Sequence, residues 1–182
     1  MSKIEKNSRR VRKLFQTLLV LTPLLVIYFW LTVDTPYDYL TTTGMVQTSF
    51  DIKGWTDAPL TLSTRFIAMA VSLLLCSIIM YALKILVKLF KNYENNNIFT
   101  LENAMSYQKL GYCIFYWVGG GFLYQPIITL ILTFNNPVGD RMIAISFLGI
   151  DFLTVLFGFI VLIISWVMKE AYILADEQNL TI

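Results

Sequence analysis

The sequence predicts an all-α membrane protein with four transmembrane helices, and three observations predict it. Apolar runs with almost no charge recur at about 14–33, 66–87, 111–134 and 142–168. Each is long enough to cross a hydrocarbon layer of roughly 30 Å as a helix rising 1.5 Å per residue. Of the 182 residues 57% are hydrophobic and only 14% charged, against roughly 45–50% and about 25% in soluble chains. Lys and Arg also alternate by segment: eleven fall in the N-terminus, the second connection and the tail, and three in the other two loops. By the positive-inside rule both termini and the second connection are cytoplasmic. The chain therefore reads as one domain, 1–182, in the cell inner (cytoplasmic) membrane, with the lipid bilayer as its first partner.

The first span follows a basic leader holding Lys3, Lys6, Arg9, Arg10, Arg12 and Lys13 against one acid, Glu5. Its full-length apolar run lacks a small-residue cleavage site, so it reads as a retained signal anchor. The outer loop, 34–65, interleaves acids with Tyr37, Tyr39, Phe50 and Trp55, and these aromatics are expected at the headgroup level. The second span ends near Lys84, whose spacing from Lys88 and Lys91 puts all three on one helical face.

A cytoplasmic turn, 88–110, follows. Thr100 has the chemistry of an N-cap, and Glu102 in the first turn complements the positive helix end. Leu101, Ala104, Met105, Gln108 and Tyr112 recur at helical spacing, so a short interfacial helix is expected before the chain enters the membrane near Gly111. In the third span Gly119-Gly120-Gly121 and Pro126 predict a kink with close packing on the Gly face.

Ile98, Phe99, Thr100, Glu102, Asn103, Lys109 and Gly111 resemble the turn before the third helix in the bacterial domain-of-unknown-function family 2975. In that pattern a leading Gly stands where this chain has Asn96 or Asn97. The closing Leu180-Thr181-Ile182 after Asp176 and Glu177 is similar to that family's acidic C-terminus. The resemblance implies a four-helix inner-membrane protein, often encoded beside a small helix-turn-helix transcription regulator, and implies no known chemistry.

The fourth run holds one charge, Asp151. Nine residues of helix from the outer end put it roughly 13 Å deep, and Gln125 is equally far along its own helix. A contact or shared water between the two is expected, because a buried acid is costly unless paired or protonated. The tail, 169–182, is expected to leave the membrane as a helix whose acids face the Lys stripe.

There is no His and no paired-acid motif, which disfavours an enzyme and a metal or cofactor site. The net charge of +2 is too small for direct nucleic-acid binding. Cys76 and Cys113 lie in apolar runs as packing residues. The favoured reading is a regulatory membrane protein that docks a partner, a DNA-binding regulator being the candidate. The surface would comprise Phe99, Thr100, Glu102 and Asn103 of the turn, Lys84, Lys88 and Lys91, and Asp176, Glu177, Leu180 and Thr181 of the tail. The alternative is a small transporter or channel using Asp151, Gln125 and the kinked third helix, as a homo-oligomer because four helices enclose little.

Overall fold

The computed structural model describes residues 3–44, 52–56, 59–145 and 149–180. They form α1 (Lys3–Thr32), α2 (Tyr39–Thr42), α3 (Ile52–Trp55), α4 (Leu62–Glu94), α5 (Leu101–Thr133) and α6 (Gly149–Leu180), with no strand among the described residues. Helices α1, α4, α5 and residues Gly149–Leu174 of α6 are each long and apolar enough to cross a membrane. Their large apolar side chains are widely exposed, as a lipid solvent allows and water does not. The protein is a multi-pass membrane protein.

The helices outrun the apolar runs that predict them, and three differences matter. The basic leader is helical from Lys3. The helix starting at Leu101 continues unbroken through Gly111, Gly119–Gly121 and Pro126 to Thr133, so the separate interfacial helix is merged into α5. A Cβ added at Gly119 or Gly121 would meet nothing within 4 Å, whereas one at Gly111 would lie 2.6 Å from Leu162 Cδ2. Close helix packing therefore falls at Gly111, and not at Gly119 or Gly121. Finally, α6 begins at Gly149 rather than Met142, which puts Asp151 in its first turn. The nine-residue helical count that set Asp151 at mid-membrane depth does not hold.

Packing separates two compact units. One comprises 21–77 and 119–147. Its core is Phe29, Trp30, Val33, Ala68, Ile128 and Leu132, against which Trp55 and Tyr124 also pack. Trp55 thus lies against protein rather than in an aromatic belt; Tyr37 and Tyr39 are exposed, and Phe50 falls outside the described residues. Trp30 is buried and donates to Ser72 Oγ (2.8 Å), which donates to the Ala68 carbonyl (2.8 Å). A hydroxyl has one proton, so the Tyr124 hydroxyl, 2.8 Å from Ser72 Oγ, must be the donor there.

The same unit contains a charge that composition does not explain. Arg65 is only 8% exposed. Its Nη1 donates to the carbonyls of Trp30 (3.2 Å), Leu31 (3.4 Å) and Val33 (2.7 Å), and its Nε to that of Leu60 (3.4 Å). The last carbonyls of a helix have no partner within it. In α1 the Phe29 carbonyl accepts from Val33 N and the Thr32 carbonyl from Thr35 N. Arg65 takes the Trp30 and Leu31 carbonyls between them and that of Val33 just beyond, a cation at the negative end of the helix. The loop after α5 is anchored on Asn136, which accepts from Thr56 Oγ1 (2.7 Å) and donates to the Trp55 carbonyl (2.9 Å).

The other unit comprises 1–20, 78–118 and 148–182. In it α6 lies tightly against the first half of α5. Gly158 sits under Phe115 and Ile114, Phe115 packs edge-on against Phe159 at 5.1 Å, and buried Ser165 donates to the Ala104 carbonyl (2.8 Å). Phe15 of α1 meets Phe90 of α4 at 5.5 Å. Cys113 is buried here and Cys76 in the other unit, both as free thiols.

Replacing Arg65 by Met is expected to cost about 2–4 kcal/mol, because buried carbonyls lose their donor. Arg65→Lys is expected to be intermediate, having one donor group in place of a fork. Denaturant unfolding in detergent micelles measures both, and a Met variant as stable as wild type would contradict the capping role.

Candidate functional site

The segment from Asn92 to Ser106 joins α4 to α5 with every step specified. Helix α4 ends on a left-handed residue, Asn96 (φ 61°). Asn97 N donates to the Asn92 carbonyl (3.0 Å) and Asn96 N to that of Tyr93 (3.2 Å), the two closing bonds of a Schellman motif. Of Asn96 and Asn97, the two positions at which the resemblance expects a Gly, Asn96 is the one with positive φ. Only Gly, and to a lesser degree Asn, visits that conformation routinely. Asn96 also donates from Nδ2 to Glu5 (2.9 Å).

Thr100 caps α5, its Oγ1 accepting from Asn103 N (3.2 Å). Asn103 is the centre of the joint and is fully buried. Its Nδ2 donates to the carbonyls of Asn97 (2.7 Å) and Ile98 (2.8 Å), and its Oδ1 accepts from Asn92 Nδ2 (2.8 Å). The amide orientation is required, since the reverse would set Oδ1 against two carbonyl oxygens. The second Asn92 proton goes to Glu102 Oε2 (2.8 Å), and Lys88 Nζ meets Glu102 Oε1 at 2.6 Å. Both oxygens of Glu102 are thus engaged. The hydrogen bonds from Lys88 and then Asn92, with the charge of Lys88, hold its carboxyl below the usual range.

A second ionic cluster closes beside the first. Glu94, the last residue of α4, is gripped by Arg9 Nε (2.6 Å) and Arg12 Nε (2.9 Å) of α1. The Arg9 hydrogen bond, helped by Arg12 and opposed by partial burial, holds the Glu94 carboxyl below its ordinary value of 4.5. Tyr93 and Tyr107 share a hydroxyl contact of 2.8 Å. Burial, then the Tyr107 contact, pushes the Tyr93 hydroxyl up.

The expected docking residues divide on this geometry. Phe99 is 62% exposed, and Lys84, Lys91, Asp176 and Glu177 are exposed. Asn103 is instead consumed inside the joint, Thr100 is spent on the cap, and Lys88 and Glu102 hold each other. The Lys88 ammonium therefore meets an acid of α5 rather than of the tail. Leu180 closes α6, and Thr181 lies outside the described residues. The expected apolar face of the segment splits: Ala104 is buried, while Leu101, Met105, Gln108 and Tyr112 are exposed.

Asp151 belongs to the unit containing α6 and Gln125 to the unit containing the second half of α5. The Gln125 carbonyl accepts from Thr129 Oγ1 (2.5 Å). Among the described residues no group of three or more His, Cys, Asp or Glu could hold a metal. Sequence reasoning missed Asn92, Glu94, Arg9, Arg12 and Arg65 as structural partners. A faint signal existed for two of them, since Arg9 and Arg12 stand three apart on one helical face.

A family model described as a protein of unknown function (DUF2975) matches residues 52–182. No curated protein and no solved structure matches the chain.

Asn103→Leu keeps the volume but takes the donor from the Asn97 and Ile98 carbonyls and the acceptor from the Asn92 amide, so a loss of about 1–3 kcal/mol is expected in micelle unfolding experiments; no loss would show the joint to be dispensable. The pH response has a definite sign. A carboxyl whose value is lowered in the folded state stabilises fully above its ordinary value and loses that contribution as pH falls through the lowered one. The melting temperature is therefore expected to drop below about pH 4.5, the ordinary value of Glu94. Glu94→Gln is expected to flatten that drop, and an unchanged pH profile in the variant would count against the Arg9–Glu94–Arg12 clamp.

Proposed function

We propose a function for a chain that belongs to the DUF2975 family of proteins of unknown function: a non-enzymatic regulatory protein of the inner membrane that offers its α4–α5 turn and α6 tail to a cytoplasmic protein partner. A helix-turn-helix DNA-binding regulator is the candidate that the family resemblance implies. The cytoplasmic assignment of turn and tail rests on the eleven-to-three division of Lys and Arg.

The observation that carries the reading is Phe99. It is 62% exposed on a turn whose backbone is pinned on both sides, by the Asn97 and Ile98 carbonyls to Asn103 and by the Thr100 cap. An aromatic presented on a pinned backbone spares a partner the cost of ordering the turn, and buried aromatic anchors carry much of the binding energy at interfaces. Exposed Lys84, Lys91, Asp176 and Glu177 supply both signs of charge for orienting an approaching protein. Asn103 acts in this reading as a positioning residue beneath the surface.

Co-purification from native membranes tests the proposal. Phe99→Ala is expected to reduce recovery of the co-purifying partner roughly tenfold or more while leaving the melting temperature unchanged, and deletion of 170–182 to reduce it further. Undiminished recovery with both changes would sink the reading.

A further inference from the structure

The N-terminal turns of α1 sort their charges by direction. Arg9 and Arg12 turn inward onto Glu94, Ser8 is buried beside them, and Glu5, the one acid of the segment, takes the Asn96 amide. Lys3, Lys6, Arg10 and Lys13 are all exposed. Their spacings of three, four and three residues keep them within an arc of about 80° at 3.6 residues per turn. That arc is distinct from the one carrying Glu5, Ser8, Arg12 and Phe15. The charges of Arg9 and Arg12 are neutralised by Glu94, and the outward set is wholly cationic.

The outward face changes chemistry abruptly. Past Lys13 no charged residue follows before Asp34, and exposed Leu14 (56%) and Val20 (63%) flank the line of the stripe, so acyl-chain chemistry begins past the last cation. The stripe from Lys3 to Lys13 rises about 15 Å. The headgroup zone of one leaflet is roughly 5–8 Å deep. Arg10 and Lys13 therefore stand at phosphate depth, while Lys3 and Lys6 stand just beyond it, within a Debye length of about 8–10 Å of the membrane surface.

We infer that this stripe is a binding site for an anionic phospholipid of the leaflet it enters. Arg10 and Lys13 hold the phosphodiester directly, and Lys3 and Lys6 select net negative charge over a zwitterionic headgroup. A guanidinium suits bidentate phosphate contact, and each basic residue near an anionic surface adds to the attraction. The inference is independent of the partner reading, which uses other residues.

The test uses the full chain in detergent, titrated with phosphatidylglycerol or phosphatidylcholine, with retained lipid counted by native mass spectrometry. Wild type is expected to retain phosphatidylglycerol roughly tenfold more strongly than phosphatidylcholine. Neutralising the stripe (K3Q, K6Q, R10Q, K13Q) is expected to abolish the preference. R10Q with K13Q is expected to weaken binding even in high salt, whereas K3Q with K6Q is expected to matter only at low salt. The charge-preserving K3R, K6R, K13R variant is expected to keep the preference, which guards against a folding artefact. Equal retention of the two lipids by wild type, or an unchanged preference after full neutralisation, would overturn the inference. Loss of the preference in Lys84→Gln with Lys91→Gln, with the α1 stripe intact, would also overturn it.

Discussion

A buried carboxamide must find partners for two protons and an oxygen, and at Asn103 that requirement holds the α4–α5 joint together. Its two donors fix the Asn97 and Ile98 carbonyls, and its acceptor fixes Asn92 on α4. The left-handed Asn96, the Thr100 cap and the Lys88–Glu102 pair are arranged around it. Asn103 itself is fully buried, so a missing partner costs the desolvation of its own polar atoms. The geometry of the turn, including the exposure of Phe99, follows from that one side chain.

The same logic recurs at Arg65. A guanidinium is expensive to bury, yet here it lies against the open carbonyl end of α1, where a cation is favoured. Both sites are polar groups that complete a helix terminus. Apolar surface does not distinguish one helix arrangement from another in lipid, so satisfied polar contacts and close approaches such as Gly111 on Leu162 carry the specificity.

The number and identity of the membrane helices were legible because each apolar run reports itself locally. Helix ends were less so. Lys3–Lys13 read as a charged leader, since their helix is supported by Glu94, more than 80 residues away. The residues after Met142 read as span by hydropathy, although the helix starts only at Gly149, and the depth assigned to Asp151 went with them. The turn was legible as a pattern, and Thr100 as a cap, because caps are local. The role of Asn103 was not, since its partners are backbone carbonyls and an Asn on another helix. Arg65 read as one more loop charge for the same reason: three of its four acceptors lie 32–35 residues earlier in the chain.

The central claim is that Asn103 couples α4 to α5 through Asn92. A double-mutant cycle on Asn92→Ala and Asn103→Ala, followed by reversible unfolding in micelles, measures that coupling directly. The account predicts an interaction energy of at least about 1 kcal/mol. Additivity within about 0.3–0.5 kcal/mol would contradict it.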